Sequence, residues 1–263
     1  MMRTLVAALA CRVQGSRLYG KPLQNLAGET SILDHILVNV DACPDIDRAV
    51  LGISEGVENI PFIDVAKRHG AGYIVGDQKD VLMRLIQCGR AGQATDIFRI
   101  TTECPFTMWE MVEEAWRRHV AEERDVTALD HVTEGVGFEI YRLEALERAW
   151  RDAQDEQRSE YANAYLRTHQ DEFSVAVVIP PPPLDRMDLR LTVDYPEDLV
   201  LCRRIYEAFA NSGPVIPMSD IYAFCDAHPE LTALVASYSD PGLVWKDVPA
   251  TIGLKDKSMA PRE

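Results

Sequence analysis

Leu5-Val-Ala-Ala-Leu-Ala-Cys-Arg-Val-Gln-Gly-Ser-Arg-Leu-Tyr-Gly-Lys-Pro-Leu23 decides the fold. Its first six residues are apolar and read as an opening strand. A strand that empties into a glycine-containing loop with three cations is a phosphate-handling arrangement. Gly15 and Gly20 let the backbone approach a polyanion closely, and loop amides can point at phosphate oxygens. Arg12, Arg17 and Lys21 supply compensating charge. Residues 15–21 also fit G-x-x-x-x-G-K, but a P-loop continues with Ser or Thr, whose hydroxyl binds magnesium. Here Pro22 follows, with no hydroxyl and no amide proton, and it biases Lys21 away from helical geometry. A P-loop is therefore rejected; a phosphate loop of another kind, or a plain solvated basic turn, remains.

The background sharpens that cluster. The 263-residue chain carries a net charge of −15 and shows no basic run, which argues against nucleic acid and against anionic membranes as partners. Six cysteines (Cys11, Cys43, Cys88, Cys104, Cys202, Cys225) form no C-x-x-C pair, so reduced thiols in a cytoplasm are expected. The apolar run 5–10 is too short for a secretory core, and no stretch approaches the ~20 apolar residues that span a bilayer.

Working outward, strand-like runs at 4–10, 49–53, 72–75, 96–100, 137–141, 174–179 and 189–193 alternate with helical periods. The helices are expected near 31–40, 61–69, 80–92, 107–119, 143–153, 159–169, 196–210 and 219–227. This alternation predicts an α/β domain with a mixed, mainly parallel sheet between helical layers. Ligands of such sheets sit at the carboxyl ends of strands, where the 11–23 loop falls. The tetraproline 180–183 reads as a rigid connector and the last ~25 residues as loop-rich. Residues 1–212 are expected to form the main domain, and 213–263 a helical extension and tail packed on it.

Two acids follow apolar strand runs. Glu103 lies in Arg99-Ile-Thr-Thr-Glu-Cys-Pro-Phe106 and Asp194 in Thr192-Val-Asp-Tyr-Pro-Glu-Asp-Leu199. Both positions suit a divalent cation bridging to phosphate. Read alone, Asp194 also suits a helix N-cap before Pro196, and Glu103 an ordinary loop acid. Asp80 opens a helix and reads first as its cap. Asp45-Ile-Asp47 matches the D-x-D of glycosyltransferases, but it precedes the second strand, on the wrong edge of the sheet.

The loop pattern R-x-x-G-S-R-L-x-G-K resembles the signature of the cytidylyltransferase superfamily of CMP-Kdo and acylneuraminate synthetases, with the SpsF-like branch the best match. That branch usually reads A-R-x-x-S-x-R-L-P-G-K; here Cys11 replaces the alanine and Tyr19 the proline. Its R-[IL]-T-x-D-C-P-[FL] and L-R-x-T-V-D-x-P-E-D-L motifs are similar to residues 99–106 and 189–199. Agreement extends over residues 3 to about 234.

The resemblance implies a nucleotide-diphospho-sugar transferase (GT-A-like) fold and Mg2+-dependent transfer of CMP from CTP to a sugar acid, a phosphosugar or polyol, or a phosphonate. It implies that Arg17 and Lys21 act in catalysis, that Glu103 (an aspartate in the family) and Asp194 hold Mg2+, and that Ala10, Arg12, Gly15, Ser16, Arg17, Gly20, Lys21, Asp80 and Thr101 meet the nucleotide. Glu139, Glu160 and Tyr161 fall where relatives meet the acceptor, Tyr161 replacing a family histidine. A cytoplasmic homodimer joined through residues 130–170 is implied as well. The competing readings are a glycosyltransferase on the same fold and a nucleotide-binding protein without turnover.

Overall fold

The computed structural model describes residues 3–158, 163–239, 245 and 251–253. The apolar run forms β1 (Leu5–Cys11), which pairs in parallel on both sides, with β4 (Arg48–Ser54) and with β6 (Asp96–Arg99). Between them lie a small hairpin, β2 (Asn25–Ala27) and β3 (Thr30–Ser31), and then β5 (Gly72–Gly76) at one edge. The sheet is completed by β7 (Val126–Leu129), β8 (Glu139–Arg142), β9 (Val175–Ile179) and β10 (Thr251–Gly253), in the order β10-β9-β7-β8-β6-β1-β4-β5. Only β8 runs antiparallel to its neighbours, β6 and β7. The sheet is thus mixed and mainly parallel, as expected.

Period-two geometry divides β1 between two cores. Leu5, Ala7, Leu9 and Cys11 face α1 (Ile32–Ala42), α2 (Pro61–Arg68), α4 (Val112–Ala121) and α7 (Pro196–Ala208). Val6 and Ala8 face α3 (Val81–Ala91), α5 (Leu143–Asp152) and α6 (Ala164–Thr168). Strands buried on both faces read as continuous apolar runs, which is why β1 was visible in the sequence. Ile216, Met218, Ile221 and Val235, from α8 (Met218–Ala227), α9 (Pro229–Val235) and the segment before them, join the first of these cores.

Three expectations are corrected. The run 189–193 is extended but lies outside the sheet: it makes one isolated bridge, Arg190 to Glu134, and none of the eight sheet strands includes it. The strands of that sheet missed by sequence, β7 and β10, have only four and three residues, too few for a periodic signal to emerge, and β10 lies in the tail expected to be loop-rich. The helix expected at 159–169 is a 3-10 turn at Asp155–Arg158 followed by the short α6; residues 159–162, which include Glu160 and Tyr161, lie outside the described residues.

One buried group ties this packing to pH. His35 on α1 sits edge-on to Phe106 and Tyr206, and burial lowers its pKa to about 4. A histidine buried in its neutral form binds fewer protons folded than unfolded below pH 6.5. Its contribution is therefore present above pH 6.5 and declines toward pH 4. Urea titrations should show wild type losing about 2 kcal/mol between pH 7 and 5 that His35→Phe does not lose. Equal losses in both proteins would contradict the assignment.

Candidate active site

The loop after β1 is held by its own backbone. Gly20 adopts φ 60° and ψ 37°, in the left-handed region, and its N–H donates to the Val13 carbonyl at 2.8 Å. A Cβ on Gly15 would lie 2.5 Å from the Leu18 carbonyl oxygen, so the chain closes there only with glycine. Buried Asn59 accepts from the Val13 N–H at 2.9 Å and pins the loop to the end of β4. Thus anchored, the loop turns its cations toward a segment more than 170 residues away in sequence.

That segment is the extended run 189–193. Its Leu191 N–H donates to the Glu134 carbonyl at 2.8 Å and its Val193 N–H to the Glu103 carbonyl at 3.0 Å. The second bond brings the chain at Glu103 beside the chain at Asp194. Asp194 Oδ1 accepts from Lys21 Nζ at 2.5 Å and from an Arg17 guanidinium nitrogen at 3.0 Å. Its Oδ2 accepts from Arg190 at 2.9 Å. Arg17 also lies over the Tyr195 ring, 5.1 Å from its centroid.

These neighbours set the charge states. Burial raises the Asp194 pKa, but Lys21, Arg190 and Arg17 outweigh it and hold the carboxyl below the ordinary range. Burial pushes the Glu103 carboxyl up, against the pull of Lys21, and the nearby Asp194 adds to the rise. Asp194 is not the helix cap that its position before Pro196 suggested. Tyr195 is the N-cap of α7, and Asp198 reaches back to accept from the N–H groups of Asp194 and Tyr195, both at 2.8 Å.

Two cavities meet at the carboxyl end of β6, sharing Arg99, Ile100 and Thr101. The larger, about 580 Å³, is lined by the loop residues Arg12, Gly15, Ser16, Arg17 and Lys21, by Ala10 and by Glu103. The smaller, about 360 Å³, contains Asp194, Glu139, Arg167 and Trp245. Glu103 thus faces the larger cavity and Asp194 the smaller, while Arg17 and Lys21 of the larger cavity reach Asp194. Glu139 is 6% exposed; it accepts from Arg99 at 2.6 Å, from Asn163 at 2.7 Å and from Arg167 at 3.1 Å. Burial opposes its ionisation, yet Arg99 and Arg167 bring its pKa down to about 2.

Asp80 is placed elsewhere. Its Oδ1 caps α3 by accepting from the Met83 N–H at 2.7 Å, its Oδ2 accepts from the Trp150 indole at 2.7 Å, and the cavity wall begins one residue later at Val81. Asp47 accepts from the Leu5 N–H at 2.8 Å, at the opposite end of β1 from the loop, so the D-x-D serves the fold.

Sequence reading missed Arg190, Asp198, Arg167 and Trp245. Arg190, 3% exposed, binds Asp198 through two nitrogens at 2.8 and 3.1 Å, and also Glu134 and Asp194. Its signals were a cation between Leu189 and Leu191 and its place in the L-R-x-T-V-D-x-P-E-D-L motif. Trp245 gave none: it stands in a tail expected to be loop-rich, yet it is 1% exposed and stacks on Arg167 at 4.4 Å.

The oxygen-only pair Glu103 and Asp194 fits a hard cation such as Mg2+, which is held by one or two carboxylates with substrate phosphates and water. Among the described residues no group of three or more His, Cys, Asp or Glu side chains forms a ready metal site, so phosphate oxygens would have to complete the shell. Among those residues, too, no helix is long and apolar enough to cross a membrane.

Comparison with known proteins agrees with this geometry. The spore coat polysaccharide biosynthesis protein SpsF of Bacillus subtilis is 24% identical over 238 residues, covering 87% of this chain and 97% of that protein. A cytidylyltransferase structure from Leptospira borgpetersenii superposes with a TM-score of 0.77 at 18% identity, covering 87% of this chain and 95% of that one. A CMP:2-keto-3-deoxy-manno-octonic acid synthetase complexed with CTP superposes at 0.57 and 14% identity, covering 78% and 99%. The architecture is the nucleotide-diphospho-sugar transferase fold. The profile of the cytidylyltransferase family matches residues 6–210. With most of its length inside that match, the chain belongs to the cytidylyltransferase family, enzymes of CTP-dependent nucleotidyl transfer.

Proposed function

We propose that this protein transfers CMP from CTP, with Mg2+, to a small anionic acceptor: a sugar acid, a phosphosugar or polyol, or a phosphonate. An acceptor oxygen attacks the α-phosphorus, the bond from that phosphorus to the bridging oxygen breaks, pyrophosphate leaves, and the acceptor's proton passes to solvent. The observation that carries the reading is the meeting of Arg17 and Lys21 with Asp194 where two cavities join. The larger cavity takes the nucleotide and the smaller takes the acceptor.

In the resting site Lys21 and Arg17 neutralise Asp194. On binding they turn to the triphosphate and then to the departing pyrophosphate, and Arg12 holds the loop end of the nucleotide. Glu103 and Asp194 would hold Mg2+. Bound there, the ion supplies Lewis-acid stabilisation of charge on the phosphoryl oxygens. Positioning and charge neutralisation suffice for phosphoryl chemistry of this kind. In the acceptor cavity Arg99 and Arg167 both pair with Glu139, and an anionic acceptor would meet these two arginines. The six cysteines are all free and buried, in keeping with a cytoplasmic enzyme. A homodimer joined through residues 130–170 completes the reading.

A pyrophosphate-release assay with CTP, Mg2+ and the acceptor classes above tests it. Wild type should release pyrophosphate with CTP and at least one of them, and Lys21→Ala should lower kcat/KM roughly 100-fold. Release from no acceptor, or full release by Lys21→Ala, would contradict the proposal.

A further inference from the structure

Trp245 stands beyond residue 210, where the family match ends, yet it is buried in the wall of the acceptor cavity. Its seat is built from the end of β7. Asp130 follows that strand and lines the same cavity. One Asp130 oxygen accepts from the His131 N–H at 2.9 Å, and the other accepts from the Trp245 N–H at 2.6 Å. His131 itself stands at φ 58°, a conformation that residues other than glycine seldom adopt. Thus seated, the indole carries the Arg167 guanidinium over its ring, 4.4 Å from the centroid.

Arg167 is the cavity arginine with the weaker framework. Arg99 stands on β6 and has the sheet to hold it. Arg167 stands on α6, a helix of five residues, and keeps 16% of its side chain exposed. A long, partly exposed side chain loses rotamer freedom when a ligand must find it in one geometry. An aromatic face beneath a guanidinium attracts it and restricts where it can go. The face is covered, while the N–H groups lie in the guanidinium plane, where they grip carboxylate or phosphate oxygens. One of them already donates to Glu139 at 3.1 Å.

We infer that Trp245 is a positioning residue for the acceptor: it holds Arg167 at the cavity wall before the acceptor arrives, and acceptor affinity depends on it. The inference rests on the acceptor cavity proposed above and adds to it a residue supplied from outside the family match.

Steady-state kinetics on the full-length protein test this, with CTP, Mg2+ and three acceptor probes: 2-keto-3-deoxy-manno-octonic acid, ribitol phosphate and aminoethylphosphonate. Trp245→Leu fills the space without a π face. With a probe that wild type turns over, it should raise the acceptor KM roughly tenfold to thirtyfold, with most of the loss in KM rather than kcat. Calorimetry should show its CTP affinity unchanged. Trp245→Phe, which keeps a ring beneath the guanidinium, should recover most of the loss. In an Arg167→Gln background, Trp245→Leu should change the acceptor KM by less than about twofold, because the arginine through which it acts is gone. An acceptor KM that Trp245→Leu leaves at the wild-type value, a rise of equal size with and without Arg167, or a parallel loss of CTP affinity overturns the inference and leaves the proposed function standing. A wild type that turns over none of the three probes overturns both.

Discussion

Asp194→Asn should lower CTP-dependent pyrophosphate release on the order of 1,000-fold or more, with little change in thermal stability. Asparagine has the shape of aspartate, so the bonds that place residue 194, from its N–H to Asp198 and from the Val193 N–H to Glu103, survive. The charge does not. Arg17, Lys21 and Arg190 then surround a neutral amide, and one of two carboxylates able to hold a cation is lost. The binding and catalytic consequences separate. Without Mg2+, CTP should bind Asp194→Asn at least as tightly as wild type, because the loop cations no longer leave a carboxylate to meet the triphosphate. Turnover nevertheless falls. Loss of CTP affinity in proportion to the loss of turnover would assign Asp194 to framework alone.

Arg190→Met should cost about 3–5 kcal/mol in stability. The arginine is nearly inaccessible and is shared by three carboxylates, Asp198, Glu134 and Asp194, besides the Tyr238 carbonyl at 3.2 Å. Asp198 is itself 1% exposed, so removing the cation strands a buried negative charge beside Asp194. Breaking such a pair from one side is more damaging than replacing both sides. Urea denaturation of Arg190→Met and of Arg190→Met with Asp198→Leu should therefore show the double variant recovering part of the loss. A single variant within 1 kcal/mol of wild type would show that this network contributes little.

The two variants mark where sequence reading succeeded and where it stopped. The opening strand was legible because a strand buried on both faces is apolar throughout, and its loop because glycines and cations recur where phosphate is handled. Asp194 was found, but for a partly mistaken reason. Leu189, Leu191 and Val193 alternate as a strand does, and periodicity reports burial of one face without naming the backbone partner. The partners are loop residues 103 and 134, which is how residue 194 reaches the loop cations. Arg190 stayed hidden because a lone cation within an apolar pattern usually extends its head to water. Only the fold shows that it is enclosed. Asp80 carried the opposite ambiguity: a cap and a ligand look alike in sequence, and both of its oxygens are engaged within the fold.

The central claim is that the cationic loop and two sequence-distant acids act on one ion-bridged nucleotide. A crystal structure with a non-hydrolysable CTP analogue and Mn2+ tests it most directly. The claim predicts an anomalous peak in coordination contact with Glu103, Asp194 and a phosphate oxygen, with Arg17 and Lys21 turned from Asp194 onto the triphosphate. A peak remote from both acids, or a triphosphate that touches neither Arg17 nor Lys21, would contradict it.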